Sequence, residues 1–295
     1  MKNTTTSIKQ ATGKYGDVIV VENEQCIAVV SLFGGHLLSF TPKSSGKDLL
    51  WLSEQAIFDQ ATPIRGGVPV CWPWFANMHE DSSAPAHGFV RNQHWQVVEV
   101  SENKQENKIV SSILVLSPKD TANKYLPEGV NLTLSFTFSD SCDILLCTKN
   151  HSDQTIELTQ ALHTYFHVDN VEDVIIHGIT SNYFDKPTGE YEVTTSSPYM
   201  IKGEVDRIHT AETDVSGEQQ VVIETKALGN RQIKQKGHDS LVVWNPGLDR
   251  ASSMKDISTQ GFIQMLCVEA ANTTPVKLAV GETTSLSQSF STQTI

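Results

Sequence analysis

Along most of this chain apolar and polar residues alternate with a period of two, and that alternation restricts the fold to sheets. Residues 17 to 32, DVIVVENEQCIAVVSL, read as two β-rich runs around the polar turn Glu22 to Gln25. From Val130, VNLTLSFTFSDSCDILLCTKN gives a second strand, turn and strand. The pattern recurs in WQVVEV, KIVSSILVL, DVIIHGIT, QVVIET, DSLVVW, GFIQMLCVEA, VKLAV and TTSLSQSF. No segment of helical length carries a 3.6-residue period, and ISTQGF near residue 257 is too short for a helix. About a dozen short strands separated by Gly, Pro, Asn and Asp turns predict an all-β protein, a large antiparallel β-sandwich. Polar loops such as SENKQENK interrupt the strands, but no low-complexity linker does. The chain is therefore read as one domain over residues 1–295, since sandwiches of ~200–250 residues commonly form one.

Net charge narrows the partners. At −12 the protein repels polyanions at long range, which argues against nucleic acid and against an anionic membrane surface. An anionic ligand would have to be held by a local cluster of cations. The N-terminus MKNTTTSIKQ has no apolar h-region, and no run approaches the ~18–20 apolar residues of a membrane span, so a cytoplasmic protein is expected. Five cysteines, without a CxxC and with mostly apolar neighbours, read as reduced structural thiols.

Four stretches carry residues suited to chemistry. Taken as a strand, IELTQALHTYFHV puts Ile156, Leu158, Leu162, Phe166 and Val168 on one face and Thr159, His163, Tyr165 and His167 on the other. HTYFH lacks the glutamate of an HExxH zinc motif, and on a strand its histidines stand ~13 Å apart, so no metal pair is assigned. They can equally be hydrogen-bonded groups on a half-exposed sheet. In GFIQMLCVEAAN apolar residues of both parities mark a strand covered on both sides, and Glu269 is its only ionisable carboxylate. Glu269 is either a solvated strand end before a turn AANTTP or a desolvated group with a raised pKa. PIRGGVPVCWPWF sets Arg65 before two glycines whose N–H groups could approach an anion, with Trp72 and Trp74 as flat walls for a sugar or caps for a sandwich. APAHGFVRN adds His87 and Arg91, and guanidinium groups match phosphate oxygens. In EVDRIHT, Asp206 reads as a partner for Arg207 or another arginine.

In order, IRGGVPVCWPWF, PAHGFVRN, ALHTYFHV, VDRIH and CVEAAN resemble the signature blocks of the D-hexose-6-phosphate mutarotases, the glucose-6-phosphate 1-epimerase branch of the aldose 1-epimerase family. The resemblance covers nearly the whole chain. It implies a galactose-mutarotase-like β-supersandwich with a cleft on one sheet, a hexose 6-phosphate as substrate, and no metal or organic cofactor. A monomer is expected in preference to a homodimer. By match to the motifs, His163 would be the general acid, Glu269 the general base, and Arg65, His87, Arg91 and Asp206 the substrate-binding groups. Those roles require an ionised Glu269 and a protonated His163 in the starting complex, which their proximity would favour. A non-catalytic sugar-phosphate binder would need the arginines but not both His163 and Glu269. A mutarotase for unphosphorylated aldoses would not need Arg65 and Arg91.

Overall fold

The computed structural model describes residues 7–77, 79, 81–106, 108–119 and 123–293. Its strands form three sheets, and every pairing between named strands is antiparallel. A nine-stranded sheet runs in the order Tyr199–Met200, Ile175–His177, Glu218–Glu224, Asn230–Lys236, Thr283–Gln293, Ser141–Asn150, Val130–Phe138, Lys108–Pro118, Trp95–Gln105. An eight-stranded sheet runs Glu190–Val193, Tyr183–Asp185, Val205–Thr210, Ser240–Asn245, Met265–Leu278, Ile156–Leu162, Val70–Cys71, with Tyr165–His167 also paired to Met265–Leu278. The third sheet is N-terminal: Ile8–Gly13, Gly16–Glu22, Cys26–Ser31 and His36–Pro42. Leu37 of its last strand bridges Val68, just before Val70–Cys71 of the eight-stranded sheet, and Leu50, beyond that last strand, bridges Phe166.

The alternation seen in the sequence builds the main core. On Val130–Phe138 every second residue from Val130 is buried, and Leu286, Gln288 and Phe290 do the same on Thr283–Gln293. Each buried Leu or Phe contributes about 1.5–3 kcal/mol of transfer free energy. Facing them are Leu162 and Phe166, with the Phe166 and Phe290 rings edge to face at 5.4 Å. Buried polar groups are matched across the layers: Gln288 donates Nε2–H to the Val268 carbonyl and accepts from the Thr164 hydroxyl. Those bonds hold the two sheets in one register as well as at one distance.

Three readings need correction. Ser101–Gln105 of SENKQENK is not loop but the end of Trp95–Gln105, which pairs with Lys108–Pro118. This is an edge strand, where polar side chains are tolerated and discourage pairing with other chains. Second, GFIQ is a 3₁₀ turn, Gly261–Gln264, and the strand starts at Met265. AANTTP does not then turn away. The strand continues to Leu278, with a bulge where Asn272 to Val276 lie opposite Gln160 to Leu158, and that bulge absorbs the turn-forming residues. Third, the described residues include one α-helix, Gly247–Ser253, too short to show a period; the Asn245 side chain accepts the Gly247 N–H at its start. The 21 strands among the described residues outnumber those expected because several span only two to four residues, too few to show alternation. All five cysteines are free, four of them buried. No described helix is long and apolar enough to cross a membrane.

Candidate active site

The face of the eight-stranded sheet turned away from the nine-stranded one carries a cleft, and strand parity decides what lines it. On Met265–Leu278, Leu266, Val268 and Ala270 enter the main core, which turns Cys267, Glu269 and Ala271 the other way. On Ser240–Asn245, Leu241 and Val243 go inward and Val242 and Trp244 outward. Asp206 sits next to the core residue Val205 and so faces the cleft. Between Ile156–Leu162 and Tyr165–His167 the ladder is interrupted, yet Leu162 lies opposite Ala270 and Tyr165 opposite Cys267. The register passes unchanged through the gap and sets His163 across from Glu269. Their side chains meet at 3.3 Å, Nε2 to Oε1.

Parity also sorts the segment from Val68 to Phe75, and here it overturns an expectation. Val68, Val70, Trp72 and Trp74 all point into the main core, while Cys71 and Phe75 face the other side. Trp72 donates its indole N–H to the Thr148 hydroxyl and Trp74 to the Pro85 carbonyl. Neither lines the cleft; the aromatic walls are Phe75, Tyr165 and Trp244. Gly66 and Gly67 also have another purpose than cradling an anion. A Cβ at Gly66 would lie 2.5 Å from the Trp51 carbonyl oxygen, and one at Gly67 2.2 Å from that of Leu37. Gly67 spends its N–H on Trp51, and His36 bonds the Gly66 carbonyl through Nε2 at 2.6 Å. The glycines let the backbones pack closely and so fix the root of Arg65.

His87 reaches the cleft from a left-handed turn, φ 64°. Its backbone N–H bonds Ala76, and Nδ1 accepts the Ala76 N–H at 3.3 Å, which leaves the ring proton on Nε2. Gly88 makes the turn possible, since its φ is +74° and a Cβ there would stand 1.9 Å from the Trp72 carbonyl oxygen. Gly88→Ala is expected to cost about 3 kcal/mol or more. Urea unfolding measures it, and a variant as stable as the wild type would show that this turn does not pack on Trp72.

All six expected residues, Arg65, His87, Arg91, His163, Asp206 and Glu269, line one cleft of about 340 Å³. His167 does not: it lies beyond the cleft beside Arg231 and Asp48. Lining residues that the sequence did not single out include Lys186, Trp244, Arg250 and Asp256. Lys186 meets Asp206 at 3.1 Å, where an arginine partner was expected; Arg207 instead approaches Asp185 at 4.0 Å. Arg65 donates Nε–H to Asp256 at 3.0 Å and a terminal N–H to the Tyr165 hydroxyl at 2.8 Å. Arg91 gives one N–H to the Ala86 carbonyl and makes no ion pair among the described residues. An aromatic ending the two-sided apolar strand DSLVVW was a readable signal for Trp244. Lys186 and Asp256 sit in turns without periodicity, and nothing in the sequence marked them.

Burial governs the electrostatics. Glu269 is 1% exposed and His163 9%. Burial first, and then the Asp206 charge, raises the Glu269 pKa well above its usual value, with Lys186 opposing. Burial first, followed by His87 and Arg65, holds His163 well below its usual value. The free protein therefore favours a carboxylic acid beside a neutral imidazole, not the ion pair that proximity alone suggests, because desolvating two charges outweighs one contact of this length. His87 is pushed down to about 3 by burial and by Arg91, Lys186 and Arg65, and so serves as a neutral N–H donor. The His163 ring lies flat on Tyr165 at 4.9 Å and meets His87 and Trp244 edgewise, which fixes its plane.

Known proteins share this architecture. The family model described as Aldose 1-epimerase matches residues 17–291. A protein of Escherichia coli strain K12 named "Putative glucose-6-phosphate 1-epimerase" is 34% identical over 258 residues, covering 86% of this chain and 83% of the relative. A protein of the same name from Cenchrus ciliaris is 28% identical over 274 residues, covering 90% and 81%. The crystal structure titled as a putative mutarotase from Salmonella typhimurium superimposes with a TM-score of 0.87 at 27% identity, covering 99% of this chain and 95% of that one. The parity that turns Glu269 and His163 toward each other thus belongs to a sandwich this chain shares with such proteins along nearly its whole length, and the chain is a member of the aldose 1-epimerase family.

Proposed function

We propose that the protein interconverts the α and β anomers of hexose 6-phosphates, glucose 6-phosphate first among them, as a glucose-6-phosphate 1-epimerase. One observation carries the reading: a buried His163–Glu269 contact of 3.3 Å shares its cleft with Arg91, a guanidinium that no carboxylate among the described residues neutralises. Anomerisation needs a proton removed from the C1 hydroxyl and one delivered to the ring oxygen O5. Both oxygens are bonded to C1, so an acid and a base one hydrogen-bond length apart can serve both. Glu269, as carboxylate, takes the C1 hydroxyl proton while His163, as imidazolium, protonates O5. The C1–O5 bond breaks to leave the free aldehyde. Rotation about C1–C2 presents the other carbonyl face, and reversal of the two transfers closes the ring. Each group is worth ~10²–10⁴-fold. The productive charge state needs one proton moved from Glu269 to His163, and the dipoles of the sugar hydroxyls in the cleft favour that separated pair more than the free cleft does.

Binding roles follow from what each group has left to give. Arg91 is assigned to the phosphate. The remaining guanidinium nitrogen of Arg65 joins it, while Asp256 and Tyr165 hold that side chain in place. His87 through Nε2–H, and Asp206 with Lys186, are assigned to sugar hydroxyls. The discriminating experiment is exchange NMR between the anomers of glucose 6-phosphate with and without the protein. Enhanced exchange supports the enzyme. Binding without enhancement would make it a sugar-phosphate sensor, and equal enhancement for glucose would make it a mutarotase of unphosphorylated aldoses.

A further inference from the structure

Cys267 is the one fully buried thiol placed against the acid–base pair, and the proton transfers above do not use it. It shares the outward parity of Glu269 two residues earlier on the same strand, between Tyr165 and Trp244 on the flanking strands. Its sulfur, a ring nitrogen of His163 and a carboxylate oxygen of Glu269 all lie within 4.8 Å of one another. In this group Oε2 of Glu269 and Nδ1 of His163 are buried without a hydrogen-bond partner among the described residues. A buried carboxyl oxygen left unpaired is costly, and coordination to a cation would relieve it.

We propose that Cys267, His163 and Glu269 form a binding site for a soft divalent cation of the Zn²⁺ class, and that occupancy switches the cleft off. The donor set is one sulfur, one nitrogen and one oxygen, which suits Zn²⁺ and excludes the hard cations Mg²⁺ and Ca²⁺. Bond lengths of ~2.0–2.3 Å around a tetrahedral ion put its ligands about 3.3–3.7 Å apart, so the three atoms must close by about 1 Å. His163 and Glu269 line the cleft, so the fourth position of a bound ion would be reached from that side. Binding releases the thiol proton and the carboxyl proton to solvent. The resulting thiolate, carboxylate and neutral imidazole balance the two charges of the ion, so no net charge is added beside Arg65 and Arg91. Proton release makes the site tighter as pH rises. The ion would occupy the two groups assigned to proton transfer, which makes it an inhibitor, not a cofactor.

Co²⁺ is the direct probe, because it takes zinc geometries and shows a sulfur-to-cobalt charge-transfer band only when thiolate-bound. Titration of the wild-type protein at neutral pH should give that band at one ion per chain. Cys267→Ser should abolish the band and weaken binding by at least about 100-fold, His163→Asn should weaken it likewise, and Cys147→Ser, remote from the cleft, should change neither. If Cys267→Ser fails to fold, His163→Asn carries the comparison. In anomer exchange, EDTA should leave the basal rate unchanged, micromolar Zn²⁺ should suppress it reversibly, and Cys267→Ser should keep the basal rate and lose the suppression. No cobalt–thiolate band in the wild type, or a band that survives loss of Cys267, would overturn the proposal. The spectroscopic arm needs no catalysis, so a protein inactive as an epimerase would still test the metal site.

Discussion

Arg91→Met is expected to raise KM for glucose 6-phosphate by about 10- to 150-fold and to leave kcat nearly unchanged. Losing one charge-assisted hydrogen-bond partner from a desolvated anion costs ~1.5–3 kcal/mol, and a contact made equally in ground and transition states shows in KM alone. Methionine keeps the aliphatic stem and much of the volume, so packing in the Val90–Asn92 turn survives. The cleft favours this assignment over a general surface effect. Of the cations lining it, Arg65 is bonded to Asp256, Lys186 to Asp206 and Arg250 to Glu204, each at 3.1 Å or less. Arg91 alone among them has no ion-pair partner among the described residues, in a protein of net charge −12. Catalytic efficiency toward glucose should be untouched by the substitution. An equal loss for glucose and glucose 6-phosphate would remove Arg91 from the phosphate.

What the sequence made legible, and what it hid, divides along the reach of periodicity. Alternation sets side chains on faces, and the faces assigned to Ile156, Leu158, Leu162, Phe166 and Val168 are those of the main core. Continued through Val70, the same parity would have sent Trp72 and Trp74 inward, but Pro69 before them and Pro73 between them suggested a loop to which parity does not apply. Both rings nevertheless enter the main core. Glu269 was left between a solvated end and a buried group, because AANTTP has the composition of a turn. Only the pairing of Asn272 with Gln160 and of Val276 with Leu158 shows that those residues bulge within a strand. Burial of Glu269 is thus a tertiary fact, set by the partner strands on both sides. Lys186 and Asp256 come from segments with no period to read, and the partner each would meet is fixed only once the sheet has brought distant loops together.

Glu269→Gln and His163→Asn should each lower kcat by at least about 10²-fold with binding retained, since each deletes one proton-transfer partner and roughly preserves shape. The double variant should lose far less than the product of the two, because groups acting as a unit are not additive. The pH profile follows from the same burial. A carboxylate with an imidazolium, and a carboxylic acid with a neutral imidazole, hold one proton between them, so kcat/KM is bell-shaped whichever predominates. Since burial favours the second, the acid arm reports protonation of the His163 ring and the alkaline arm loss of the Glu269 proton, the reverse of the order their usual values would give. The substrate phosphate titrates at about pH 6, and a phosphonate analogue separates its contribution from the acid arm. Stability should move opposite to activity. With its folded pKa raised above 4.5, Glu269 gives its full stability below that pH and loses it as pH rises through the folded value. Glutamine has no such loss, so the Tm advantage of Glu269→Gln should widen upward from about pH 5. His163, held below 6.5, loses its contribution as pH falls, so the advantage of His163→Asn should widen toward acid. A folded Glu269→Gln protein with near-normal kcat would mean that this carboxylate is not the base, whatever its burial.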